Sequence, residues 1–192
     1  MDDKRGRVWV TRRADEEYLQ ECLVPTFKKS SLRVMVWGCI ADGRKGPLIV
    51  VEYPGGKGGG MTAELYQRQV LEGVFLGFFR QLKRERHYVY FQQDSAPAHS
   101  SRSTKKWFKN HRIKLLYHPP NSPDLSPIEP VWQDLKRIVR RNARNISTIE
   151  GLRTAVREAW KEIPIERINK HVSSMPDRVR AVLAVKGGHT WF

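Results

Sequence analysis

Two acidic residues, Asp94 and Glu129, have the placement in this sequence that best suits metal chemistry. Asp94 follows HYVYFQQ, a run rich in aromatic and β-branched residues that predicts a strand ending at a turn, and Glu129 lies in the first turn of a predicted helix. The two acids are separated by 34 residues. Two-metal phosphoryl transfer uses carboxylates that converge from separate elements on two divalent ions about 4 Å apart, and Mg²⁺ accepts oxygen ligands while it keeps several waters. The pattern therefore predicts metal-dependent chemistry on a polyanion.

Each acid also has a purely structural interpretation. Glu129 follows Ser126 in the S-x-x-E pattern of a helix capping box, which needs no metal, and spacing alone favours that role. Asp94 could simply initiate the turn after its strand. Asp124, in NSPD, is predicted to be a turn residue, and His99 is predicted to be a structural histidine. The residues by themselves leave both roles of Asp94 and Glu129 open.

The chain is strongly basic, with 35 Lys and Arg residues against 20 Asp and Glu residues and a net charge of +15. This excess favours a nucleic-acid partner, because cations that neutralise phosphates release condensed counterions. The predicted helix after Glu129 carries four cations that are predicted to hold phosphates: Lys136, Arg137, Arg140 and Arg141.

The sequence favours a soluble intracellular protein without a membrane partner. No apolar run approaches the ~20 residues that span a bilayer, and the N-terminus lacks a signal-peptide pattern. The two cysteines, Cys22 and Cys39, have no paired metal-ligand spacing and favour a reducing compartment.

The elements that must position the two acids follow from hydrophobic periodicity. Strands are predicted at 7–11, 32–40 and 47–53, as an antiparallel meander. The strand ending at Asp94, a helix through Trp107 and a strand over 113–117 form a predicted strand–helix–strand unit with parallel pairing and a right-handed crossover. Further helices are predicted from Thr62, over Ser126–Asn142, from Ser147 or Thr148 through Trp160, over Ile165–Val172 and over Asp177–Val185.

The wording around the two acids resembles the mariner-like superfamily of DDE transposases. The segments that carry the resemblance are QQDSAPAH, HPPNSPDLSPIEPVW and VMVWGCIADGRKGPLIV, and they match the branch whose last two catalytic acids are 34 residues apart. The resemblance implies an α/β fold with a ribonuclease-H-like mixed sheet flanked by helices. It implies one partial catalytic domain over residues 1–192, with a core over 1–145 and C-terminal helices over 146–192.

The same resemblance implies a function for the site. Asp94 and Glu129 would be catalytic, metal-binding residues in a two-ion site for Mg²⁺ or Mn²⁺, in cut-and-paste transposition of DNA. The implied partners are transposon ends, target DNA and a second copy of the chain in a transposition complex. The implied location is the nucleus if the host is eukaryotic.

The sequence departs from the family pattern at its start. Members of the superfamily use a third acid on an opening strand, before a polar turn and a Val-Trp strand, whereas seven residues precede Val8 here. Asp2 and Asp3 match the polar turn, so the opening strand and its acid are predicted to be missing and the chain to be inactive alone. The alternatives are that Asp2 or Asp3 fills the vacant position, or that the chain is a non-catalytic nucleic-acid-binding or assembly module. Ribonuclease activity on RNA–DNA hybrids follows from fold analogy alone.

Overall fold

The computed structural model describes residues 32–52, 60–142 and 146–192. The predicted strand over residues 7–11 lies outside the described residues, as do Asp2 and Asp3.

The first two strands form an antiparallel hairpin. Strand β1 (Met35–Ala41) pairs with β2 (Arg44–Val51), and the register shifts between Gly38 and Ile40. The turn contains Gly43, whose φ of +66° suits glycine. Both predicted strands are confirmed, but β2 begins earlier than predicted, because Ala41 pairs with Arg44 directly across a two-residue turn.

The next two strands form a separate parallel pair. Strands β3 (Tyr90–Phe91) and β4 (Lys114–Leu115) pair in parallel, and helices α3 (Pro97–Ser100) and α4 (Arg102–Asn110) connect them. The predicted strand–helix–strand unit is confirmed, although its strands are shorter than predicted. In the described residues the antiparallel and parallel pairs form two two-stranded sheets.

The remaining helices precede and follow this unit. They are α1 (Ala63–Leu65), a π-helical segment (Tyr66–Phe75), α2 (Leu76–Glu85), a 3₁₀ turn (Pro123–Leu125), α5 (Glu129–Asn142), α6 (Ile149–Glu162), α7 (Ile165–Ser173) and α8 (Met175–Ala184). The predicted cap at Thr62 is confirmed, since its side chain accepts the Leu65 N–H at 3.2 Å. Thr148 caps α6 in the same way, through the Gly151 N–H at 3.0 Å.

Two hydrophobic cores lie against opposite faces of the β1–β2 hairpin. The first is rich in aromatic residues and includes Phe75, which lies 4.3 Å from the ring centroid of Phe91 and 6.3 Å from that of Phe108. The second packs α5 against α6 and α7, with Trp132 stacked on Trp160 at 5.7 Å. Alternate residues of β1 face the two cores, as strand geometry requires. The hairpin is therefore shared by both cores.

A buried carboxylate fastens α7 to α5. Asp134 accepts hydrogen bonds from Arg137 at 2.8 Å and from Arg167 at 2.7 Å. Because α5 and α6 also share the second core, the helices before and after residue 145 pack together. The boundary between the core over 1–145 and the helices over 146–192 stays a prediction. Among the described residues, no helix is long and apolar enough to cross a membrane.

Gly46 is a site where packing leaves no space for a side chain. A Cβ atom there would lie 2.5 Å from the Cys39 Sγ and 2.6 Å from the Cys39 carbonyl oxygen. We expect Gly46→Ala to lower the free energy of unfolding by about 1–3 kcal/mol through overpacking. Gly77, in α2, has no neighbour within 4 Å of such a Cβ, so Gly77→Ala should raise it by about 0.5–1 kcal/mol. Urea unfolding of both variants checks the pair, and a stability loss no larger for Gly46→Ala than for Gly77→Ala would contradict the packing argument.

Candidate metal and nucleic-acid site

Asp94 is held at the end of the β3 strand by two hydrogen bonds to one carboxylate oxygen. Its Oδ1 accepts the Ala96 N–H at 3.0 Å and lies 2.6 Å from the His99 Nδ1. The bond to Ala96 starts the turn that leads into α3, so the structural role proposed for Asp94 is present. The side chain is 66% exposed. Asp94 therefore serves the turn and still presents a carboxylate to solvent.

His99 fixes the orientation and charge of Asp94. Its ring lies 4.3 Å from that of Tyr66, and its side chain is 15% exposed. The hydrogen bond from His99, aided by the Ala96 N–H and by the charges of His99 and His118, lowers the pKa of Asp94 to about 2, although partial burial opposes the shift. His99 thus lies at the candidate site itself, where its hydrogen bond holds an ionised Asp94.

His118 is a residue of the site that the sequence analysis missed. The Gln92 Nε2 donates to the Leu125 carbonyl at 2.7 Å and lies 2.9 Å from the His118 Nδ1. Because the carbonyl requires an amide N–H at that end of Gln92, the His118 Nδ1 accepts, and a neutral ring carries its proton on Nε2. The signal in the sequence was the segment HPPNSPDLSPIEPVW, which begins with His118.

Glu129 is the first residue of α5 and is exposed. Its N–H donates to the main-chain carbonyl of Ser126 at 3.2 Å, so the predicted capping box, which needs the Ser126 hydroxyl, is wrong. A carboxylate at this position still interacts favourably with the helix dipole. Within the described part of the chain, the Glu129 carboxylate has no hydrogen-bond or ion-pair partner.

Both acids line one open groove of about 1420 Å³ between the two sheets and α5. Lys136 and Arg140 line the same groove, as do His99 and His118. The other two predicted phosphate-binding residues do not line it. Arg137 pairs with Asp134 at 2.8 Å, and Arg141 pairs with Glu162. The fold thus places two of the four cations beside the acids.

The donor set of the groove suits a hard divalent cation. Mg²⁺ is commonly held by one or two carboxylates together with waters, and Asp94 and Glu129 supply two carboxylates. Asp94 is ionised at neutral pH, and only one of its oxygens carries the hydrogen bonds described above. Among the described residues there is no cluster of three or more His, Cys, Asp or Glu side chains that could hold a metal. The site therefore fits an ion that keeps much of its hydration shell.

Comparison with known proteins gives a consistent family and fold. A family model described as DDE superfamily endonuclease matches residues 57–153, half of the chain. The Tcb1 transposase of Caenorhabditis briggsae is 35% identical over 182 residues, which cover 95% of this chain and 63% of that protein. The chain therefore spans less than two thirds of the length of this relative.

Two solved structures share the fold at low sequence identity. The catalytic domain of Mos1 mariner transposase matches with a TM-score of 0.70 at 18% identity, covering 86% of this chain and 79% of that one. The mariner Mos1 paired end complex with Mg matches with a TM-score of 0.68 at 18% identity, covering 97% of this chain and 52% of that one. These matches confirm the predicted ribonuclease-H-like α/β fold class.

The pKa of Asp94 should depend on His99. We expect His99→Phe, which keeps an aromatic ring against Tyr66 but removes the hydrogen bond, to raise the pKa of Asp94 from about 2 toward its ordinary value of 3.8. Carboxyl ¹³C NMR titration measures this directly. Because the folded-state pKa is the lower one, the stabilisation from this bond is present above about pH 4 and is lost as the pH falls through about 2.

His111→Phe is the matched control, since His111 also stacks on an aromatic ring, that of Trp107 at 3.9 Å. That variant should leave the titration of Asp94 unchanged. An unchanged pKa of Asp94 in His99→Phe would contradict the assigned role of His99.

Proposed function

We propose that this chain, which belongs to the DDE superfamily of endonucleases, forms part of the metal-dependent catalytic domain of a cut-and-paste DNA transposase. One observation carries the proposal: Asp94 and Glu129, the acids at the motif positions, line the same groove as Lys136 and Arg140. Carboxylates for a metal and cations for phosphates are thereby placed together. The proposed substrates are transposon-end DNA and target DNA.

Asp94 and Glu129 would hold Mg²⁺ or Mn²⁺ in this groove. In the proposed two-ion site, one ion would activate the attacking oxygen and the other would stabilise the leaving oxygen of a phosphodiester. The Ala96 N–H and His99 keep Asp94 ionised and oriented, which leaves its second oxygen for the ion. Glu129, at the helix start, completes the pair from a separate element. The use of carboxylates from two elements explains why the intervening packing must be rigid.

Lys136, Arg140 and His118 would bind the nucleic acid. The two cations follow Glu129 along the exposed face of α5, so they can neutralise successive phosphates beside the metal. His118, with its proton on Nε2, can donate a hydrogen bond to a phosphate oxygen. Arg137 and Arg141 are proposed to contribute only to the general positive field, because their guanidinium groups pair with acids.

The proposed reaction has two steps. Water first attacks a phosphodiester at the end of the element and releases a 3′-hydroxyl, which then attacks target DNA. No covalent link between protein and DNA is required. The paired end complex of Mos1 supports a homodimer as the acting species for this chain as well. We propose the nucleus as its place of action in a eukaryotic host.

A second candidate function is a non-catalytic nucleic-acid-binding or assembly module. The observation that favours it is the set of exposed cations on α5, which could bind phosphates without any metal. This module would show steep salt dependence of DNA affinity and no response to Mg²⁺.

Substitution of the two acids separates the candidates. We expect Asp94→Asn and Glu129→Gln each to weaken Mn²⁺ or Mg²⁺ binding by about tenfold or more, because each removes a charged ligand. Titration calorimetry measures the binding. Glu64→Gln is the matched control, because Glu64 is also an exposed acid in the first turn of a helix but does not line the groove.

The measured metal affinities and DNA binding distinguish the two candidate functions. If neither acid substitution changes metal affinity relative to Glu64→Gln, the metal site is wrong. Retained DNA binding in that case would favour the non-catalytic module.

A further inference from the structure

A second basic surface lies outside the groove that contains Asp94 and Glu129. Helix α2 and the end of α4 enclose a pocket of about 510 Å³ whose cationic lining consists of Arg80, Lys83 and Arg112. None of these three cations lines the groove of the two acids. The pocket has an apolar base formed by Leu76 and Phe79. We refer to it below as the α2–α4 pocket.

The surface that leads to this pocket carries positive charge without acidic compensation. Residues 102–114 contain no Asp or Glu and include six cations: Arg102, Lys105, Lys106, Lys109, Arg112 and Lys114. In the parts of the chain that the structure describes, none of these six forms an ion pair, and neither do Arg80, Lys83 and Arg84. Of the two acids that flank α2 in sequence, Glu85 pairs with Arg44 at 2.9 Å. Glu72 accepts a hydrogen bond from the neutral Trp107 Nε1–H at 3.1 Å.

The helix dipole explains only part of this charge. Cations in the last turn of a helix interact favourably with its C-terminal carbonyls, which accounts for Lys109 in α4 and for Lys83 in α2. It does not account for Arg80, which lies in the middle of α2 and lines the same pocket. Two elements that each contribute cations to one concave surface indicate an anionic ligand.

Arg112 occupies a backbone conformation that favours glycine. Its φ is +53°, and it follows α4 in a Schellman motif, with the Arg112 N–H bonded to the Lys109 carbonyl at 3.1 Å and the Ile113 N–H to the Phe108 carbonyl at 3.0 Å. Glycine is the usual residue at this position because a Cβ atom makes the conformation costly. An arginine that is strained there and lines a basic pocket fits a binding role better than a structural one.

His111, the residue before Arg112 in the pocket lining, is held in place by Trp107. The His111 Nδ1 donates to the Trp107 carbonyl at 2.8 Å, and the two rings stack at 3.9 Å. Trp107 is itself buried in the aromatic core. The pocket is therefore connected to the folded core through His111.

We propose that the α2–α4 pocket and the basic face of α4 form a second binding site for the phosphodiester backbone of duplex DNA, separate from the groove of the two acids. The inference rests on the proposed function only in taking DNA as the polyanion. Binding here needs neither the metal nor Asp94 and Glu129. The site would hold a stretch of duplex away from the reacting phosphodiester.

The test uses Arg112→Gly, which removes the cation and relieves the backbone strain together. Binding of a short DNA duplex is measured in EDTA over a range of salt concentrations, beside the thermal unfolding midpoint. We expect affinity to fall roughly three- to tenfold and the slope of log K against log salt to decrease by about 1, while the unfolding midpoint rises. Arg112→Gln should weaken binding similarly without the rise in midpoint.

Lys186→Gly is a matched control for charge and strain. Lys186 has a φ of +51° after α8 and lies in the same type of hydrogen-bonded turn, but it lines neither the groove nor the α2–α4 pocket. It should raise the midpoint with little change in affinity. If Arg112→Gly lowers DNA affinity no more than Lys186→Gly, the pocket is not a binding site and the inference is wrong. Tighter binding of duplex RNA than of duplex DNA would overturn the choice of ligand.

The double variant Asp94→Asn, Glu129→Gln keeps this test independent of catalysis. It should bind DNA in EDTA with the same dependence on Arg112 as the unaltered chain. Metal binding that survives in Arg112→Gly while its DNA affinity is unchanged would remove the second site and leave the proposed function intact. We expect the double variant to lose metal binding, while Arg112→Gly still lowers its DNA affinity. If Arg112→Gly no longer lowers the DNA affinity of the double variant, the two sites are not separate.

Discussion

The packing of the β1–β2 hairpin on both of its faces is the constraint on which the rest of the structure depends. Trp37 and Val51 face the aromatic core, while Val36 and Val50 face the core beneath α5. A strand presents alternate residues to opposite sides, so a register slip of one residue would exchange the two sets. The bulge between Gly38 and Ile40 and the close approach at Gly46 hold the register, because position 46 has no space for a side chain.

This shared hairpin also connects the two parts of the fold that carry the acids. Asp94 follows β3, which packs through Phe91 on the aromatic core. Glu129 begins α5, which rests on the other core through Val131 and Leu135. The two acids thus lie on elements that pack against different cores. The hairpin between those cores fixes the relative position of the two elements. Both acids line the groove of about 1420 Å³.

The cations of the described residues differ in their partners and in the surfaces on which they lie. The buried Asp134 takes up Arg137 and Arg167 to join two helices, and burial makes such a pair costly to break. Lys136 and Arg140 remain exposed beside the acids, and Arg80, Lys83 and Arg112 form the α2–α4 pocket. Among the described residues, these cations therefore lie on distinct surfaces.

The sequence by itself predicted most of the strands and helices that the structure describes, the buried stripe of α5 and the family, because each of these is written in local periodicity or in a contiguous motif. It also made Asp94 and Glu129 the candidate metal ligands. Only the tertiary structure decided that Arg137 and Arg141 are engaged by acids, that Gln92 sets the tautomer of His118, and that the strands form two sheets in the described residues. Those outcomes depend on residues that lie far apart in the chain. Periodicity gives the face on which a side chain lies, whereas its partner on that face is selected only when the elements pack.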